Sequence, residues 1–223
     1  MLDERSRSKR QNARVAADGR SLSDFTSEGF TLIELLLSMA ITLIILGVAV
    51  AAFSGALGAR DRESSRTDAL TSAQAALNIM SREIGNSGYG LLTNGMVTGD
   101  CTDKQLHFRT NIDHNSSTNS PGEDVTFYYD SASQSVVRYD SIDGTSGIIN
   151  RVSNVNFVYW NYVVDVTTGN VTISAGSPSS DTARVNITLK VMLADVQGQP
   201  TNRIETVMSD VTLRNAPYML DQY

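Results

Sequence analysis

One carboxylate sits where lipid-loving residues are expected. In SEGFTLIELLLSMAITLIILGVAV (Ser27 to Val50), Glu34 interrupts a run that is otherwise apolar. On insertion scales an acidic residue at the centre of a membrane helix costs about 2.5–3.5 kcal/mol, less near an end, so a plain anchor has no use for it. Elsewhere the residue types that do chemistry are scattered. His107 and His114 are separated by six intervening residues, without an HExxH motif or a Cys/His cluster, and surface or loop roles are expected for both. Cys101 is the single cysteine, so no intrachain disulfide can form, and a buried or inert thiol is expected. The acidic loops NIDHN and DSIDGTSG offer Asp113, Asp140 and Asp143 as oxygens for a structural Ca²⁺. Neither fits the EF-hand spacing, so solvated turns are the expectation. There is no G-x-S-x-G, P-loop or G-x-G-x-x-G. No enzyme and no cofactor are read from this inventory.

The elements that position these residues fall into two regimes. Leu35 to Ala59 is a stretch of 25 residues without a charge, enough at about 1.5 Å per residue to cross a ~30 Å hydrocarbon core. Leu70, Ala73, Leu77, Met80 and Ile84 then recur at steps of three and four, one helical stripe. All four prolines lie beyond it, so a single helix from about Phe30 to Ile84 is expected, apolar in its first half and amphipathic in its second. Gly47, Gly55 and Gly58 are its soft points. GNSGYG (85–90) ends it.

After residue 90 the period becomes two. ARVNITLKVML places Val185, Ile187, Leu189, Val191 and Leu193 on one face, and DVTFYYD, QSVVRYD, VNFVYWNYVVDV and RIETVMSDVTL read as further strands. NIDHNSSTNSPGED and SAGSPSSDT read as loops. Tyr128, Tyr129, Tyr159, Trp160 and Tyr162 are expected to pack in the sheet and not to form a stacking platform. The fold class is therefore α+β: a long N-terminal helix whose amphipathic half covers one face of an antiparallel sheet.

Charge divides unevenly. Residues 1–29 carry six Lys/Arg and five Asp/Glu; residues 30–223 carry 12 and 19, a net of −7. An acidic body argues against nucleic acid as a direct partner. Arg5, Arg7, Lys9, Arg10 and Arg14 mark residues 1–28 as a basic leader that stays cytoplasmic by the positive-inside tendency. A secretory signal cut after the AVA at 49–51 is an alternative, leaving an exported or membrane-anchored binding domain, but such a signal has no use for Glu34.

GFTLIE (29–34) ahead of this helix resembles the processing site of type IV pilins and pseudopilins. The resemblance implies that a prepilin peptidase cuts after Gly29 and methylates the new N-terminus, Phe30. It also implies that Glu34 pairs with the N-terminal amine of a neighbouring subunit during assembly. LNIMSREIGNSGYG (77–90), with Ser87 where alanine is usual, and SDVTLRNAPY (209–218) resemble the helix end and final strand of PilW-type minor pilins. The second also resembles the J-type pseudopilin of type II secretion, the nearest alternative. Many major pilins carry a proline at about the position of Ala51 and a C-terminal disulfide loop; this chain has neither, which favours a minor subunit.

The implied organisation is a removed leader (1–29), a membrane-spanning or filament-core half-helix (30–59), an amphipathic half-helix (60–86) and a periplasmic or extracellular β-rich domain (87–223). The implied partners are prepilin peptidase, other major and minor pilins, the inner-membrane assembly platform, and membrane lipid before assembly. The implied location is the inner membrane as a single-pass protein, then the pilus or pseudopilus.

Overall fold

The computed structural model describes residues 29–222; the expected leader over 1–28 lies outside them. Helix α1 runs unbroken from Leu32 to Gly85, 54 residues. Its glycines do not interrupt it, since each costs only about 1 kcal/mol against alanine and no proline is present. Two units share this helix, dividing between Ala52 and Phe53. From Leu32 to Ala52 every residue is exposed. This stretch belongs to a helix that is long and apolar enough to cross a membrane. Its hydroxyls are satisfied within the helix: Ser38 Oγ donates to the Leu35 carbonyl (2.9 Å) and Thr42 Oγ1 to that of Ser38 (2.7 Å).

In the second unit the expected stripe does the packing. Ala73, Ala76, Leu77, Met80 and Ile84 are buried, while Leu70 is only half-buried. The domain has eight strands: β1 (Gln105–Arg109), β2 (Asp124–Asp130), β3 (Ser135–Asp140), β4 (Gly144–Ile149), β5 (Val152–Val164), β6 (Val171–Gly176), β7 (Thr182–Met192) and β8 (Ile204–Thr212). The architecture is α+β as expected, but the single sheet is corrected to two. One is a meander, β1-β2-β3-β4; the other has the order β6-β5-β7-β8, and all pairings are antiparallel. The chain changes sheets between Ile149 and Val152, where Arg151 takes a positive φ of 59°.

Both sheets and the helix stripe share one apolar core, with Phe108, Phe127, Ile187 and Leu189 among its largest buried side chains. The alternation along β7 and one residue past it comes out as read: Val185, Ile187, Leu189, Val191 and Leu193 are all buried. Polar contacts tie the helix to each sheet. Arg138 Nε on β3 meets Glu83 Oε2 at 2.8 Å, Arg66 Nε meets Glu205 Oε1 on β8 at 3.1 Å, and the Ser81 and Ser209 hydroxyls lie 3.0 Å apart. A short helix, α2 (Pro217–Leu220), closes the chain.

Two further readings need correction. Part of the supposed loop SAGSPSSDT is strand, since β6 continues to Gly176. The final strand stops at Thr212, so LRN lies beyond it.

Candidate functional site

At the start of α1, the backbone of Gly29, Phe30 and Thr31 is not helical and all three residues are exposed. A Cβ built on Gly29 would meet nothing within 4 Å. Thr31 is the N-cap: its carbonyl accepts the first helical hydrogen bond, from Leu35 N at 3.2 Å. Its hydroxyl accepts from Glu34 N (3.3 Å), while Glu34 Oε2 accepts from both Thr31 N (3.0 Å) and Thr31 Oγ1 (2.9 Å). This reciprocal pairing is a capping box, which satisfies amide groups that a helix start otherwise leaves without partners. The carboxylate thereby sits at the positive pole of the helix dipole. Sequence reasoning singled out Glu34 and missed Thr31, although the T-x-x-E spacing from 31 to 34 is the signal that marks such a box.

At the other end of α1, the two signatures noted near residues 85 and 213 turn out to be one piece of structure. Asn86 N and Ser87 N bond back to the Glu83 and Ile84 carbonyls in a tightened last turn. The chain then reverses through Gly88, at φ +78°, where an added Cβ would lie 2.3 Å from the Thr93 carbonyl oxygen. Only glycine fits that backbone and that approach. Leu213 enters the core, Arg214 N donates to the Gly85 carbonyl (3.2 Å), and Asn215 Nδ2 donates to the carbonyls of Asn86 (3.3 Å) and Ser87 (3.1 Å). LRN is thus the cap of the helix end in GNSGYG. Ser87, in place of alanine, is buried and donates its hydroxyl to the Asn94 carbonyl at 2.6 Å. Asn94 Nδ2 in turn binds the carbonyls of Ser179, Ser180 and Thr182. Glu83, in the last turn of α1, joins Arg138, which also holds Asp140 at 3.1 Å.

Of the remaining candidates, His107 and Cys101 are brought into contact, and His114 lies elsewhere. His107 is corrected from a surface or loop residue. It lies on β1 with its side chain 12% exposed, Nδ1 2.9 Å from Asp100 Oδ2 and Nε2 2.5 Å from Asp124 Oδ1. His114 is in a loop, edge-on to Tyr89 with ring centroids 5.4 Å apart. Cys101 is buried, and its sulfur lies 3.3 Å from both the carbonyl oxygen and the amide nitrogen of His107. Burial pushes its thiol pKa up.

The oxygens of Asp113 are taken by Ser120 Oγ (2.6 Å) and by the amide groups of Asn115. Those of Asp140 are taken by Gly122 N, Ile142 N, Asp143 N and Arg138. Among the described residues, no group of three or more His, Cys, Asp or Glu side chains is arranged to hold a metal. Tyr159 is core, its hydroxyl donating to the Thr102 (2.8 Å) and Gln105 (2.9 Å) carbonyls. Trp160 stacks under Arg184 at 4.8 Å, and Tyr162 lies against Tyr218.

The comparisons with known proteins bear on the first of these places. Residues 25–50 match the family model of the prokaryotic N-terminal methylation motif. No curated protein and no solved structure matches the chain. The matched stretch holds Gly29, Phe30, Thr31, Glu34 and the start of the apolar helix, and it supports a type IV pilin-like or pseudopilin-like protein anchored through α1.

Proposed function

We propose that this chain is a minor pilin subunit of the PilW type, which helps to initiate, assemble or regulate a type IV pilus. In this reading prepilin peptidase cuts the Gly29–Phe30 bond on the cytoplasmic side and methylates the amine of Phe30. The β-rich domain stands on the periplasmic side until the helix leaves the bilayer for the filament. The observation that carries the proposal is the capping box inside the matched motif. Glu34 is four residues from the bond to be cut and is already folded back to the first helical turn. A new cationic amine at Phe30 and a carboxylate at the same helix pole suit a charge pair between neighbouring subunits. Such a pair is worth far more in a low-dielectric bundle than in water, although desolvation takes back much of the gain. An unpaired carboxylate there would be costly, so the pairing sets the register between helices. The bond itself lies in exposed, non-helical backbone, as a peptidase requires.

Mass spectrometry of the protein recovered from membranes tests this directly. The expected chain begins at N-methylated Phe30. A chain beginning after Ala51, or an uncut chain in cells whose other prepilins are processed, would overturn the reading.

A further inference from the structure

The hairpin of β5 and β6 exposes apolar residues on both of its strands. Every residue from 163 to 177 is exposed, including Val163, Val164, Val166, Val171 and Ile173, with Val166 at 96% and Ile173 at 50%. β5 stays paired with β7 only as far as Asn161↔Thr182, whereas its pairing with β6 continues to Val164↔Val171. Beyond Asn161 the hairpin is therefore a two-stranded ribbon, a structure marginally stable alone in water.

Its loop is well formed: Asp165 N donates to the Asn170 carbonyl (2.9 Å), Gly169 N to that of Asp165 (2.7 Å), and Gly169 supplies the positive φ of 70°. The Asp165–Asn170 bond also fixes the alternation along β6. Val171, Ile173 and Ala175 fall on non-hydrogen-bonded pairs, so their N–H and C=O groups face away from β5.

That outer edge is unguarded. Of the other edge strands, β8 carries Glu205 and Asp210, β4 lies beside a register shift at Val136/Val137, and β1 is bridged by Met96. β6, VTISAG, has neither charge, nor proline, nor bulge. Edges in folded proteins normally carry one of these protections unless another strand covers them.

We infer that β6 is a docking edge, to which a different subunit of the same assembly adds an edge strand by main-chain hydrogen bonding. This rests on the pilin reading. A strand of six residues falls short of the roughly 1,200 Å² that stable complexes bury, so it does not hold a partner from solution. It suffices where α1 already confines both subunits to one membrane or filament and raises their effective concentration. A second copy is the poorer occupant, because it would bring the same net charge of −7 in residues 30–223.

The test is photo-crosslinking of the full-length chain in cells, with benzoylphenylalanine at Val171 or, as control, at Tyr139, which is exposed on the other sheet. An adduct with another filament subunit is expected at Val171, about fivefold stronger than at Tyr139. Ile173→Pro removes an outward N–H that β5 does not use and abolishes the adduct, with an unchanged melting temperature; Ile173→Lys is the companion should proline unsettle the domain. Adducts only with a second copy, none above the control, or none lost in either variant would overturn the inference. The N-terminus from the same cells separates the two claims: methylated Phe30 without the adduct sinks the docking edge alone, and an unmethylated chain sinks the pilin reading and the assigned partner with it.

Discussion

The two stretches of α1 obey the same helical geometry under opposite constraints. From Leu32 to Ala52, leucines, isoleucines and valines face outward on every side, and the protein offers them nothing to touch. From about Ala73 to Gly85 one apolar stripe is buried in the core that the two sheets share. An all-round apolar helix states that its solvent is lipid or other helices; a striped one states that its solvent is half protein and half water. The only carboxylate of the first stretch is folded onto its own cap, whereas Glu83 in the second reaches Arg138 on a strand. Position in a helix tells little until the environment on each side is named.

That contrast can be broken most severely at Glu34. Glu34→Ala should cut incorporation into filaments at least about tenfold, because it leaves a partner amine without its countercharge. The urea midpoint of the β-rich domain should not move, and a shift there would mean that the carboxylate serves folding. Next comes the buried stripe. Leu77→Ala should cost about 3 kcal/mol of unfolding free energy in the detergent-solubilised chain, whereas Leu43→Ala should leave domain stability within about 0.5 kcal/mol. Asn215→Ala should cost about 1–2 kcal/mol by releasing the carbonyls of Asn86 and Ser87, read as faster amide exchange around residues 84–90.

The smallest effect is a pH dependence. Burial pushes the Asp140 carboxyl up, but the amides of Ile142, Asp143 and Gly122 and the Arg138 guanidinium outweigh it, holding the group below its ordinary value. A depressed folded pKa stabilises above about pH 4 and loses that contribution as pH falls through the folded value. The wild type should therefore lose stability faster than Asp140→Asn as pH falls below about 4, followed by urea midpoints.

Legibility in the sequence followed burial. The stripe at 73–84 and the alternation at 185–193 were readable because each faces one core and one solvent. β6 was not, since all six of its residues are exposed and no alternation can arise. β1 escaped because only Leu106 and Phe108 turn inward, and β4 because GTSGII buries Ile149 alone. The division into two sheets depends on which edges stay unpaired at the corner near Arg151, which no local pattern states. At the helix start the motif gave Glu34 by type and spacing, yet Thr31 needed the capping geometry to be noticed. LRN and GNSGYG lie some 125 residues apart, so that Asn215 closes the helix end is tertiary information.

The way that helix end is held has a mechanical consequence. A pull applied along α1 reaches Gly85 and passes at once to Arg214 and Asn215, while Arg66–Glu205, Ser81–Ser209 and Glu83–Arg138 grip the flank of the same rod. These ties lie side by side along the direction of load, so they share the tension and must fail together, unlike a row of bonds that unzips one at a time. Arg214 and Asn215 clamp the far end of the rod on which the folded body packs, and a truncation before Arg214 would lower the force at which that body peels from its helix.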